Sequence, residues 1–100
     1  MTDTNQIHLV AYLVAKTAKE QALIDAVLAI VPAVREERGC IAYEPHLSLE
    51  HPGTVVMVEA WQDQAALDAH AAGASFTALA ARFDELLAEP LRVETLRRLA

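Results

Sequence analysis

The sequence predicts an α+β domain with the element order β-α-β-β-α-β, and three features carry that reading. Two runs, Ile7 to Lys16 and Val55 to Gln62, are rich in β-favouring apolar residues, whereas apolar positions from Leu23 to Val34 and from Phe76 to Leu87 recur at helical spacing. The pair Pro52–Gly53 signals a turn between the second and third strands. All three glycines, Gly39, Gly53 and Gly73, fall at junctions between elements. With right-handed crossovers this order gives a ferredoxin-like fold, a four-stranded antiparallel sheet with helices on one face.

The first strand, IHLVAYLVAK, is apolar on both faces. Ile7, Leu9, Ala11, Leu13 and Ala15 form one face, and Val10, Tyr12 and Val14 belong to the other, which suits a central strand covered on both sides. Leu23, Val27, Ile30, Val31 and Val34 then define a helix from about Ala18 through the REER of 35–38. Gly39 follows it and can take the left-handed conformation that closes a helix. Pro32 lies inside that pattern and has no N–H for the Leu28 carbonyl, so a kink or break is expected there.

The segment CIAYEPHLS, 40–48, reads as a second strand with Tyr43 on the face of Ile41, and Pro45 confines it to an edge or a bulge. It forms an antiparallel hairpin with the third strand, whose Val55, Met57, Glu59 and Trp61 share one face. Asp63 is placed to cap a helix through Ala72, which Gly73 ends. A further helix runs from about Ser75 to Ala88, with Phe76, Leu79, Ala80, Phe83, Leu86 and Leu87 along one face. Pro90 stops it, and LRVETL is the last strand. Residues 1–100 form one domain, with 1–6 expected as a disordered or extended tail.

One hundred residues allow a single core. A hydrophobic content of 54% and a mean hydropathy of +0.22 are high for so small a domain. They predict an apolar pocket or a subunit interface, and strand one needs a second cover that another subunit's sheet would supply. The net charge of −6, with no basic stripe, disfavours nucleic acid. The opening MTDTNQIH is not a secretory signal, and no apolar run approaches the roughly 20 residues of a membrane span, so a cytoplasmic location is expected. The single Cys40 excludes an internal disulfide and is expected to pack as a small hydrophobe. His46, Glu50 and His51 match no metal-ligand spacing, and no metal is expected.

Two motifs carry a resemblance. IVPAVREERGCIAYEPH joins a helix end to a Gly-Cys step and a tyrosine-bearing strand; VVMVEAWQDQAALDAHAAGASF joins a Glu-x-Trp strand end to a helix with His nine residues after the Trp. Together they resemble the antibiotic biosynthesis monooxygenase family, most closely its small quinol-monooxygenase-like branch. The resemblance implies a homodimer, a dimeric α/β-barrel built by sheet-to-sheet packing, with an apolar cavity in each subunit. It also implies oxygenation of electron-rich hydroxylated aromatics without flavin, haem or metal. The chain departs from the family at Ser75, where a second histidine often precedes the aromatic of the last helix. Haem-degrading relatives carry tryptophan at the position of His70 and histidine at that of Ala80, so haem degradation is not expected.

Triplet oxygen reacts slowly with closed-shell organic molecules, so a cofactor-free oxygenase must turn its substrate into an electron donor. A base that deprotonates a quinol or polyphenol in a dry pocket does this. Histidine suits the task because its unperturbed pKa of about 6.5 leaves a neutral fraction near neutral pH. His70, three residues after Leu67 and four after Ala66, is aimed inward, either as that base, as a core-edge imidazole bonded to a backbone carbonyl, or as a helix C-terminal residue favoured by the dipole. Trp61 is either core or a pocket wall, and Phe76 either lines the pocket or packs between helices. Glu59 either pairs with an arginine across a dimer or orients a histidine or substrate hydroxyl. Tyr43 either donates to a phenolate or bonds backbone at an interface. The reading is a cofactor-independent monooxygenase acting on a small quinol- or polyphenol-like aromatic with O2. A non-catalytic small-molecule-binding or regulatory dimer, favoured by Ser75, and an isomerase-type enzyme on the same scaffold stay open.

Overall fold

A computed structural model of the protein describes residues 5–100, so most of the 1–6 tail lies outside the described residues. The elements run β1 (Ile7–Val14), α1 (Glu20–Arg35), β2 (Cys40–Leu47), β3 (Thr54–Trp61), α2 (Gln64–Ala72), α3 (Ala74–Ala80), α4 (Phe83–Leu86) and β4 (Arg92–Leu96). All strand pairs are antiparallel in the order β2-β3-β1-β4, the ferredoxin-like topology. Its central strands are the most apolar, and β2, which carries Pro45, is an edge where a missing N–H breaks no ladder.

Burial alternates strictly along β1: Ile7, Leu9, Ala11 and Leu13 are buried, and the residues between them are half-exposed. The buried set meets Val55, Met57 and Trp61 of β3, and Leu23, Val27, Val31 and Val34 of α1 close over it. The opposite face presents Val10, Tyr12, Val14, Val56 and Val58 to no helix; there the Arg92 guanidinium stands 4.2 Å above the Tyr12 ring. The expected division into a helix-covered face and a bare apolar face is present.

Two helix expectations need correction. α1 runs through Pro32 without a break. Leu28 and Pro32 are both exposed, so water can take the carbonyl that proline leaves without a donor. The helix expected over 75–88 is divided into α3 and α4 at Ala81–Arg82. No glycine or proline marks that division, and tertiary pairing sets where α4 ends. Lys16 N–H donates to the Leu86 carbonyl and Ala88 N–H to the Val14 carbonyl, both at 2.8 Å, with a bridge between Ala15 and Leu87. The end of the helical region is thereby tied to the end of β1.

Gly39, with φ of 82°, turns the chain from α1 into β2, and its carbonyl accepts from Gln62 N–H at 2.8 Å. A Cβ there would stand 2.5 Å from Ala66 Cβ on α2. The turn and α2 are therefore packed backbone against side chain. Gly39→Ala combines a strained φ with overpacking, and urea unfolding should show a loss of roughly 2–4 kcal/mol. A loss below about 0.5 kcal/mol would mean that this close approach is not a constraint.

Candidate active site

A cavity of about 280 Å3 lies between the covered face of the sheet and the α2–α4 region. Its lining is mainly apolar, with Leu9, Leu13 and Met57 from the sheet and Leu67, Phe76 and Leu79 from the helices. Tyr43, Glu59 and His70 are its buried polar residues. The exposed Gln64 and Asp68, joined at 2.8 Å, and Thr95 on β4 stand at its rim. Among the described residues no lysine or arginine lines it.

The phase of α2 delivers His70 to this cavity. Asp63 caps the helix, its Oδ1 accepting from Ala66 N–H at 2.8 Å. Leu67 and His70, one turn apart, then share the inward face. His70 is 6% exposed, and its ring stacks on Trp61 with centroids 4.5 Å apart and planes at 29°. Tyr43 and Phe76 approach it at 5.5 and 5.6 Å. Nδ1 lies 2.8 Å from Glu37 Oε1. Nε2 has no protein partner among the described residues, yet it is not sealed from solvent.

Tyr43 enters the site through an irregularity in β2. Cys40 pairs with Trp61 and Ala42 with Ala60, so Ile41 is an extra residue in the ladder. This bulge moves Tyr43 opposite Glu59; unbroken pairing from Cys40 would set it opposite Val58, on the outer face. Ile41 is 52% exposed and Tyr43 only 2%, which corrects the expectation that they share a face. Burial, with Glu59 and Glu37 nearby, pushes the Tyr43 hydroxyl far above the usual phenol range. It stays protonated at physiological pH and can donate a hydrogen bond.

Glu59 is buried and accepts from Trp61 Nε1–H at 3.0 Å. Desolvation raises its pKa above the usual carboxylate value, the Trp61 hydrogen bond and a charged His70 oppose that rise, and Glu37 adds to it. Among the described residues no arginine meets Glu59; the indole does. Trp61 itself is completely buried and does not line the cavity. It lies behind His70, backing the imidazole with its face and Glu59 with its edge.

His70, Tyr43, Glu59 and Phe76 therefore meet at one cavity, with Trp61 one layer deeper. Ser75 does not line that cavity; it borders a separate surface depression with Glu37, Gly73 and the outer side of His70. His8 and His46 lie on the far face of the sheet, at the Ala60 and Val56 registers, so neither stands in for a histidine at position 75. Among the described residues no cluster of three or more His, Cys, Asp or Glu could hold a metal. Burial raises the Cys40 thiol pKa, with Glu37 and Glu59 adding to the effect, which leaves it a poor nucleophile. Glu37 is the participant that the sequence conceals. It sits 33 residues from His70 in what reads as a solvated helix end, and only the turn at Gly39 brings them together.

Comparison with known proteins places this geometry in a family. A family model described as antibiotic biosynthesis monooxygenase matches residues 6–82. The chain is 33% identical over 87 residues to the Bacillus subtilis protein named "Putative monooxygenase YcnE", covering 87% of this chain and 92% of that protein. It is 36% identical over 58 residues to "Probable quinol monooxygenase YgiN" of Escherichia coli, covering 50% of this chain and 56% of that one. The crystal structure of protein SO0527 from Shewanella oneidensis superposes with a TM-score of 0.89 at 36% identity, covering 95% of this chain and 92% of that one. Among the described residues no helix is long and apolar enough to cross a membrane. The chain belongs to the antibiotic biosynthesis monooxygenase family.

Proposed function

We propose that the protein is a cofactor-independent monooxygenase that oxygenates a small, neutral, hydroxylated aromatic with O2. The observation that supports this reading is the buried imidazole of His70, set in the wall of an apolar cavity with Nδ1 held by a carboxylate that does not line that cavity. Cavity size supports a one- or two-ring substrate: an apolar cavity of about 150 Å3 accepts one benzene ring, and this one measures about 280 Å3. The acidic lining without a cation favours a neutral quinol over an aromatic acid. The names of the relatives YcnE and YgiN point to the same reaction class.

In this reading His70 Nε2 takes the proton of a quinol hydroxyl, and the resulting phenolate donates electrons to oxygen. One oxygen atom enters the ring and the other leaves as water; the quinol supplies all four electrons and both hydrogens of that water. Tyr43 donates to the developing oxyanion. Phe76 packs on the aromatic ring, and Trp61 stiffens His70 from behind. Glu59 accepts from a second substrate hydroxyl. A homodimer fits the bare face of β1 and β3, where Val10, Tyr12, Val14, Val56 and Val58 await a cover. A binding protein without turnover would use the same cavity, and oxygen consumption separates the two.

Glu59 is retained at a cost to stability, which supports a functional role. Its pKa is raised in the folded state, so the native protein holds that proton more tightly than the unfolded chain. As pH rises above the ordinary carboxylate value of 4.5, stability is lost until the folded pKa is passed. Glu59→Gln keeps an acceptor for Trp61 and removes the buried charge. It should raise Tm at pH 7 by a few degrees, an advantage that vanishes below about pH 4, while oxygen consumption falls. Equal melting temperatures at pH 7 would contradict the linkage.

Oxygen uptake with a panel of one- and two-ring quinols and their carboxylated analogues tests the reaction. The neutral members should be consumed, and His70→Ala should slow uptake by roughly 10²–10⁴-fold. Uptake unchanged by the substitution would remove His70 from the mechanism. Ligand-induced thermal stabilisation with no uptake would identify a binding protein.

A further inference from the structure

As a base, His70 needs its lone pair on the nitrogen that is not engaged by Glu37. In a neutral imidazole one nitrogen donates and the other accepts, and the partner of the first decides which is which. Glu37 Oε1 lies 2.8 Å from Nδ1, and a carboxylate can only accept. Nδ1 must then carry the proton, which leaves the lone pair on Nε2. Nothing else competes for that role: Trp61 meets the ring face to face, and Tyr43 and Phe76 meet it through tilted rings.

Glu37 is itself held in place. Its N–H donates to the Val34 carbonyl at 2.9 Å, and its carbonyl accepts from Cys40 N–H at 3.1 Å. Two residues later Gly39 packs on Ala66, in the same helix as His70. The turn and the imidazole therefore belong to one rigid unit. The Glu37 side chain is 24% exposed at the surface depression beside His70, on the side away from the cavity chemistry.

We propose that Glu37 is a positioning residue: it fixes His70 as the Nδ1–H tautomer, leaves the Nε2 lone pair free at the cavity and steadies the imidazolium formed when that lone pair takes a proton. The part played in turnover rests on His70 being the base; the tautomer itself does not. The arrangement has the same logic as the carboxylate of a Ser-His-Asp triad, which orients an imidazole without itself becoming protonated. A purely structural pair, which only ties the turn to α2, would show the same tautomer but no selective effect of Glu37→Gln on kcat.

The test is a long-range 1H–15N spectrum of the full-length, 15N-labelled protein at a pH where His70 is neutral. Wild type should show a protonated Nδ1 and an unprotonated Nε2. Glu37→Ala should shift His70 toward the Nε2–H form that free imidazole side chains favour, and Glu37→Gln should give a weaker shift in the same direction. With an active quinol, Glu37→Gln should lower kcat at least about tenfold and change KM less than about threefold. Wild-type His70 as the Nε2–H tautomer overturns the proposal, and that result needs no variant to fold. So does an unchanged Nδ1–H signal in folded Glu37→Ala. If wild type shows the Nδ1–H form and the variants lose it, but no quinol is consumed by any of them, the tautomer assignment stands and the monooxygenase reading fails.

Discussion

His70 is buried to 6% exposure in an apolar region, and a polar ring in that position loses stability unless its surroundings repay the lost water. The Trp61 indole lies flat beneath it at 4.5 Å, and Glu37 holds Nδ1 at 2.8 Å. The same indole donates its N–H to Glu59, so one side chain supports both the imidazole and the buried carboxylate. Burying a tryptophan removes about 150–250 Å2 from water, an upper limit near 4–6 kcal/mol. That is comparable with the few kcal/mol of effective penalty for one partly compensated buried carboxylate. Trp61, wholly buried beside Glu59 and bonded to it, offsets much of the cost of keeping that carboxylate in the interior.

Two local departures from regular structure bring the remaining groups to this stack. The extra residue at Ile41 turns Tyr43 from the bare face of the sheet to the cavity face and sets it opposite Glu59. The left-handed Gly39 lets the α1–β2 turn approach α2 closely enough for Glu37 to reach His70. Regular secondary structure alone would give the cavity and His70 but neither Tyr43 nor Glu37. Both departures sit at the same end of β2, next to the end of β3 that carries Glu59 and Trp61.

Periodicity and turn chemistry made much of this legible in advance. The alternation of β1, the Asp63 cap, the Pro52–Gly53 turn and the edge position implied by Pro45 are all local signals, and each appears in the structure. The inward aim of His70 followed from its spacing to Leu67 and Ala66. Long-range pairing was not legible. Hydrogen bonds to β1 set the end of α4, and neither the α3–α4 division nor the bulge at Ile41 has a glycine or proline to announce it. Glu37 looked like one more solvated charge in REER because nothing local relates it to a histidine 33 residues away.

Ser75 lies outside the lining of the cavity, in the depression beside Glu37. The central claim is that a hydroxylated aromatic enters this cavity with an oxygen on His70. A crystal structure of the protein with a neutral two-ring quinol, prepared without oxygen, tests that claim most directly. A quinol hydroxyl within about 2.6–3.2 Å of His70 Nε2, with the ring between Phe76 and the sheet, is the predicted result. A quinol bound outside the cavity, or inside it with both hydroxyls turned away from His70, would contradict the account.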